Sequence, residues 1–151
     1  MTLPCWIISL NPASPTASAL SSALTSQGVE HCFVPAVDGR QSRPALQGRE
    51  QIDVRKSLIR HQKVLTNSEL GVYLAHYRAI QKAFDEGLER VCIMEDDASL
   101  EPDFAPVLQQ LGELPDHVEM VRLMALRIRK RKVISTLPDG KHQLVRPERG
   151  W

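Results

Sequence analysis

The chain has 151 residues, of which 42% are hydrophobic and 25% charged, and its net charge is +1. That length suffices for one hydrophobic core, and the composition is that of a globular, soluble protein. The near-neutral balance argues against a generic nucleic-acid binder, whose basic excess would be large.

The elements follow in chain order. Pro4 to Leu10 reads as an opening strand whose nearly continuous apolar run, Trp6-Ile7-Ile8, suits a parallel strand covered on both faces. Asn11 and Pro12 end it. Ser14, Pro15 and the Ala/Leu-rich stretch to Gln27 predict a helix with Pro15 in its first turn and Gly28 after its end. Cys32-Phe33-Val34 is a second strand, so the start of the chain predicts a right-handed βαβ unit. Asp38-Gly39 is a turn signal near the predicted carboxyl edge of the sheet. Residues 40–51 are polar, contain Pro44 and Gly48, and predict a mobile loop. Residues 52–63 predict a short helix.

Thr66-Asn67-Ser68-Glu69 has the pattern of a capping box, in which the hydroxyl and the carboxylate each accept a backbone N–H across the first turn. A helix is expected from Asn67 to about Glu86, stopped by Gly87. Leu70, Tyr73, Leu74, Tyr77, Ile80 and Phe84 recur at steps of three and four and are predicted to form its buried stripe. Val91-Cys92-Ile93-Met94 then runs into Glu95-Asp96-Asp97. This predicts a buried central strand that delivers three adjacent carboxylates to its carboxyl end, where open α/β sheets bind ligands. Carboxylates so close repel one another, and a hard divalent cation that prefers oxygen ligands would relieve the repulsion. A solvated acidic loop is the alternative. A short helix is predicted from Glu101-Pro102-Asp103 to Gly112, a strand over Met120–Leu126, and a hairpin around Pro138-Asp139-Gly140-Lys141.

Charge is unevenly spread. Residues 85–119 hold eleven acids and one base, Arg90, whereas nine bases and two acids follow from Arg122 onward. The basic run 127–132 suits phosphate or anionic-lipid contact, or else an edge strand protected by charge. The three cysteines, Cys5, Cys32 and Cys92, lie in apolar runs without metal-ligand spacing, which predicts packed, reduced thiols and a cytoplasmic protein. No basic n-region precedes Trp6, and no stretch reaches the ~20 apolar residues of a spanning helix. Any membrane contact is therefore expected to be peripheral, at the inner face of the plasma membrane through 127–132.

Three blocks in this order resemble glycosyltransferase family 25, the lipopolysaccharide-type glycosyltransferases: Ile7-Ile8-Ser9-Leu10-Asn11, then Ala36-Val37-Asp38-Gly39, then Leu65-Thr66-Asn67-Ser68-Glu69-Leu70-Gly71 with His76, followed by Ile93-Met94-Glu95-Asp96-Asp97. The resemblance implies an α/β, GT-A-like (Rossmann-like) mostly parallel sheet flanked by helices, here followed by the C-terminal β-hairpin. It further implies a nucleotide-sugar donor, often UDP-galactose, a divalent metal (Mn²⁺ or Mg²⁺) and a glycan acceptor such as lipopolysaccharide or lipooligosaccharide. Carried onto this chain, Glu95, Asp96 and Asp97 occupy the metal motif, with Asp97 favoured for direct contact and Asp96 and Asp97 as the catalytic pair. Asn11 and Asp38 are candidates for contacts to the nucleotide, and Glu69 and His76 match the block that packs beside the acids.

Three departures stand out. Pro12 to Ser18 lacks the arginines usual after Asn11, Ala75 stands where a serine is usual, and Val72 replaces a cysteine. Residues 1–151 read as a single family 25-like domain, incomplete at the C-terminus, without the region that supplies the base an inverting transfer requires. The expected function is transfer of a sugar, galactose being one option. The alternatives are a non-catalytic module of the same fold that binds nucleotide sugar or glycan and, last, a metal-dependent phosphohydrolase.

Overall fold

The computed structural model describes residues 3–124 and 130–148. The chain divides into two compact units, one from Leu3 to Leu100 and one that begins at Glu101.

The first unit is an α/β sandwich on a three-stranded parallel sheet. Its strands are β1 (Cys5–Ser9), β2 (His31–Pro35) and β3 (Cys92–Glu95), in the order β2-β1-β3. All five residues of β1 are buried, as the unbroken apolar run requires. The acid-bearing strand was expected at the centre of the sheet. Instead β1 is the middle strand, and β3 pairs with β1 alone among the described strands. Cys92 and Met94 read as a central strand because they are buried, but here burial comes from packing over the faces, not from a neighbour on each side.

Helix α1 (Pro15–Ser26) makes the crossover from β1 to β2. The Ser14 hydroxyl accepts from the Ala17 N–H at 3.2 Å, and Gly28 follows the helix at φ 70°. Ala17, Leu20 and Leu24 are its buried face. His31 fastens it to β2. Its Nδ1 lies 2.9 Å from the Val29 carbonyl and must donate there, and its Nε2 shares a hydrogen bond with the Ser21 hydroxyl at 2.8 Å.

Between β2 and the next long helix lie the loop over 40–51 and a short helix, α2 (Val54–His61), capped by Asp53. The loop, expected to be mobile, is pinned. Arg78 donates to Glu50 at 2.6 and 3.0 Å and to the Ala45 carbonyl at 3.1 Å, and the Glu50 side chain is almost wholly buried.

Helix α3 (Asn67–Asp85) begins at the predicted capping box: Thr66 accepts from the Glu69 N–H, and Glu69 accepts from the Thr66 N–H at 2.9 Å. Its buried face differs from the predicted stripe. Leu70 and Leu74 are buried, but their partners are Gly71, Ala75, Ala79 and Ala83. Tyr73, Ile80 and Phe84 are exposed, Phe84 by 78%, and Tyr77 is half-buried. The sheet supplies the reason. Trp6, Ile8 and Val34 present large side chains on this face, and an alanine ridge lets the helix come close enough to cover them. Large residues on both partners would hold the layers apart.

The second unit contains α4 (Phe104–Gly112) and an antiparallel hairpin of β4 (Arg131–Thr136) and β5 (Gln143–Pro147). Leu108 and Leu137 are its buried apolar residues among those described. Asp139 forms the hairpin turn by accepting from the Lys141 and His142 N–H groups, both at 2.9 Å, with Gly140 at φ 70°. The strand expected over Met120–Leu126 does not form over Met120–Met124, where Met120 and Met124 are exposed; residues 125 and 126 lie outside the described residues. Of the basic run, 127–129 also lie outside them, and Lys130 to Lys132 are exposed.

Candidate functional site

The order β2-β1-β3 places a topological switch between β1 and β3. From β1 the chain crosses to one side to make β2 and later returns on the other side as β3. In open parallel sheets such a switch leaves a crevice beyond the carboxyl ends of the two strands, where ligands bind. A cleft of about 170 Å³ lies there, lined among others by Ser9, Leu10, Val37, Val72, His76, Glu95 and Asp96. The edge position of β3 therefore removes one sequence argument for a site at the acids, and the switch point supplies another.

Of the three acids, Glu95 and Asp96 line the cleft. Asp97 follows on the turn after β3, exposed and outside the residues that line it. Glu95 is the last residue of β3, opposite Ile8, and its Oε1 lies 3.1 Å from His76 Nε2 on α3. His76 is 37% exposed and Glu95 51%, so the pair sits at the mouth of the cleft, where solvent reaches both. Asp96 is held from below by the buried Ser9 hydroxyl. Among the described residues no three His, Cys, Asp or Glu side chains form a group that could hold a metal by themselves. Two carboxylates facing one cleft fit a hard cation differently. Mg²⁺ is usually held by one or two carboxylates, with substrate phosphates and water completing its oxygen shell. Glu95 and Asp96 are the pair that would hold it.

The remaining predicted site residues are spread around this centre. The Asn11 side chain closes a local turn, Oδ1 accepting from the Ala13 N–H at 3.1 Å, and its own N–H donates to Ser9 Oγ at 3.1 Å. Asp38 is exposed and paired with Arg40 at 2.6 and 2.9 Å, which holds its carboxyl at about 2. Asp38 is not part of the cleft lining, although Ala36 and Val37 are. Glu69 stands apart from the lining too. It is spent on the cap of α3 and on Lys63, whose ammonium, together with the Thr66 N–H and hydroxyl, brings its carboxyl down to about 2.

Two glycines hold the Val37–Gly39 turn against the start of α3, and they do so by lacking a side chain rather than through unusual dihedrals. A Cβ on Gly39 would stand 2.0 Å from the Asn67 carbonyl oxygen, and one on Gly71 would stand 2.4 Å from the Val37 carbonyl oxygen. The Val37–Gly39 turn and the start of α3 are therefore two sides of one backbone contact, of which Val37 and Gly71 line the cleft. Sequence reasoning assigned Gly39 to turn geometry alone and missed Ser9. The available signal for Ser9 was a lone hydroxyl ending the apolar run of β1.

The cysteines take no part. Cys5 and Cys92 are buried and directly opposite each other in the β1–β3 register, and their mutual hydrogen bond, with burial, pushes the Cys5 thiol up so that it stays protonated. Cys32, expected to be packed, is exposed.

Comparison with known proteins gives this arrangement a family. The profile of glycosyltransferase family 25 (LPS biosynthesis protein) matches residues 2–138. A rat protein named "Probable inactive glycosyltransferase 25 family member 3" is 29% identical over 113 residues, which are 72% of this chain and 19% of the relative. The mouse protein named "Inactive glycosyltransferase 25 family member 3" is 28% identical over 112 residues, again 72% of this chain and 19% of the relative. A mosquito (Aedes aegypti) "Glycosyltransferase 25 family member" is 32% identical over 83 residues, 51% of this chain and 13% of the relative. The chain thus spans about a fifth or less of the length of these curated relatives. The family match extends over both units, from β1 past the acidic strand tip into the start of the hairpin, and on that extent the chain belongs to glycosyltransferase family 25.

Proposed function

We propose that this chain carries the donor-phosphate site of a GT-A-like sugar transferase, one that moves a hexose such as galactose from a UDP-sugar to a lipopolysaccharide-type or other glycan acceptor. One observation carries the reading: Glu95 and Asp96 face a common cleft at the switch point of a parallel sheet. At about 170 Å³ the cleft is below the roughly 300–1,000 Å³ of sites that enclose a drug-sized ligand, which suits a pyrophosphate group rather than a whole nucleotide sugar. A divalent ion there would neutralise the diphosphate as charge builds on the departing nucleoside diphosphate. Glu95 and Asp96 bind that ion, and Asp97 on the adjoining turn accepts from donor hydroxyls or water. His76 orients Glu95 from α3. The Leu10, Val37 and Val72 wall excludes water from one side of the phosphates. Asn11 and Asp38 flank the cleft as nucleotide contacts, and Glu69 acts through the start of α3. The site faces the cytoplasm, with the basic residues of 127–132 touching anionic lipid.

The test is calorimetric titration of the chain with Mn²⁺ and a series of nucleoside diphosphates. Binding that requires both ion and diphosphate, and that falls at least tenfold in Asp96→Ala, supports the reading. Equal binding by the variant removes it. A second reading, a non-catalytic module that retains the donor site, is favoured by the names of the rat and mouse relatives. It predicts the same binding with no hydrolysis or transfer of the UDP-sugar by the 151-residue chain.

A further inference from the structure

Ser9 stands where three strand ends meet. Ser9 is the one polar or charged residue among those described that is buried as a whole, at 5% exposed. The β1–β3 ladder ends with Ile8 opposite Glu95, so Ser9 is one step beyond the last paired position and would next face Asp96. At that step a side-chain bond continues the seam, from Ser9 Oγ to the Asp96 carboxylate. On the other side of β1, the Ser9 carbonyl accepts from the Ala36 N–H at 3.1 Å, in the segment that leads into the Val37–Gly39 turn.

The direction of each bond is forced. A hydroxyl has one proton to give and two lone pairs with which to accept. The Asn11 N–H, 3.1 Å away, can only donate, so Ser9 Oγ accepts from it. The hydroxyl proton is then left for Asp96, which as a carboxylate can only accept. The proton and one of the two lone pairs are used, and the two bonds together fix the side-chain rotamer. Among the described residues Ser9 is also the hydrogen-bond partner of the Asp96 side chain.

We propose that Ser9 is a positioning residue for the donor site: its buried hydroxyl aims the Asp96 carboxylate into the cleft and fixes the Asn11 backbone beside it. This rests on the reading of the cleft given above and adds to it the part of the chain that keeps one ligand in place. Groups that orient a metal ligand from behind typically change metal affinity by about 10–100-fold when removed, which sets the expected size of the effect.

The experiment compares Ser9→Thr with Ser9→Val in the full 151-residue chain. The two are nearly equal in size, both suit a strand, and only threonine keeps the hydroxyl. The probes are Mn²⁺ with UDP, followed by calorimetry, and the ¹³C resonance of the Asp96 carboxyl. Ser9→Thr is expected to bind within about threefold of the unaltered chain. Ser9→Val is expected to bind about 10–100-fold more weakly and to shift the Asp96 resonance. In an Asp96→Ala background, where nothing remains to be aimed, Thr and Val at position 9 should bind alike. Ser9→Ala provides the same contrast if both branched side chains perturb folding. Equal binding and equal Asp96 resonances in the Thr and Val variants would overturn the role of Ser9. Absence of binding by the unaltered chain would instead overturn the donor-site reading, while the resonance comparison still decides whether Ser9 fixes Asp96.

Discussion

In the unit from Leu3 to Leu100 every residue of β1 is buried, whereas in the unit that follows every residue of β4 is exposed. The two strands are of similar length, but four of the five β1 residues are apolar against two of the six in β4, where Arg131 and Lys132 lead the strand. Cover follows that difference. The parallel sheet is flanked by helices, and its β1 side chains have a layer on either face. The hairpin is held by its own ladder, by a turn in which one aspartate satisfies two backbone N–H groups, and by bonds from the Asp139 N–H to Gln110 of α4 and from Lys141 to Asp103. The first kind of region positions side chains rigidly by packing, and it is the one that carries the cleft. The second is a local structure whose stability depends on turn chemistry.

That contrast breaks most visibly at Leu74. Leu74 is fully buried on α3, and truncation to alanine should cost about 2–5 kcal/mol through lost contacts and the cavity left behind. The matching change in the hairpin is Ile134→Ala. Ile134 is half exposed at the irregular step of the β4–β5 register, and the expected cost is about 0.5 kcal/mol. Urea unfolding followed by the fluorescence of the buried Trp6, in a Trp151→Phe background, reads the first unit specifically. Comparable losses for the two variants would show that the units share one core.

Gly39→Ala ranks next. The added methyl would meet the Asn67 carbonyl, which belongs to a helix start that cannot yield as a flexible side chain can. The expected cost is about 1–3 kcal/mol, together with weaker UDP binding because the displaced turn is a wall of the cleft. Gly28→Ala provides a control with a different cause, since open space surrounds that position and only its φ of 70° resists a side chain. It should destabilise the chain without altering nucleotide binding.

These positions also show what the sequence discloses and what it conceals. The helix start at Thr66 was legible because a capping box is local: two residues three apart contain the whole interaction. The same holds for α1, with Ser14, Pro15 and Gly28, and for the turn at Asp139. The acids were legible as the carboxyl end of a strand for a related reason, an apolar run passing directly into three carboxylates, and two of them, Glu95 and Asp96, line the cleft. The buried face of α3 was not legible. Tyr73, Ile80 and Phe84 have helical spacing and large apolar surfaces, and nothing in their own segment reveals that the sheet already supplies the bulk through Trp6 and Ile8. The rank of β3 was hidden as well, because strand order is a property of the whole chain. Ser9 was hidden because its two partners lie two and 87 residues away, and only the parallel register brings the distant one alongside.

Thr66→Ala should cost about 1 kcal/mol, by leaving the Glu69 N–H without its capping hydroxyl. Asp53→Ala at α2 removes the equivalent acceptor from a helix that buries no residue. The comparison separates capping from packing. The α3 change should appear in the global unfolding of Trp6, and the α2 change only as local fraying in amide exchange.

The smallest effects come from acid, and both units should feel them alike. In the first, Lys63 and the Thr66 N–H and hydroxyl bring the Glu69 carboxyl from its ordinary 4.5 to about 2. In the second, the His142 backbone N–H, the His142 side chain and the Lys141 N–H bring the Asp139 carboxyl from 3.8 to about 2. A carboxyl depressed in the folded chain contributes stability that is present above its unfolded value and is lost as pH falls through its folded value. The window is therefore about pH 4.5 to 2 for Glu69 and about pH 3.8 to 2 for Asp139. Both groups are solvent-exposed, so the contributions are small and shrink with added salt. Backbone ¹⁵N spectra across that range resolve them separately, the Thr66 and Glu69 amides reporting the cap and the Lys141 and His142 amides reporting the turn. Glu69→Gln should abolish the first titration and leave the second intact, while Asp139→Asn should do the reverse. If either substitution moved the amides of the other unit, the two local structures would be coupled, and the contrast between a packed sheet and a locally bonded hairpin would no longer hold.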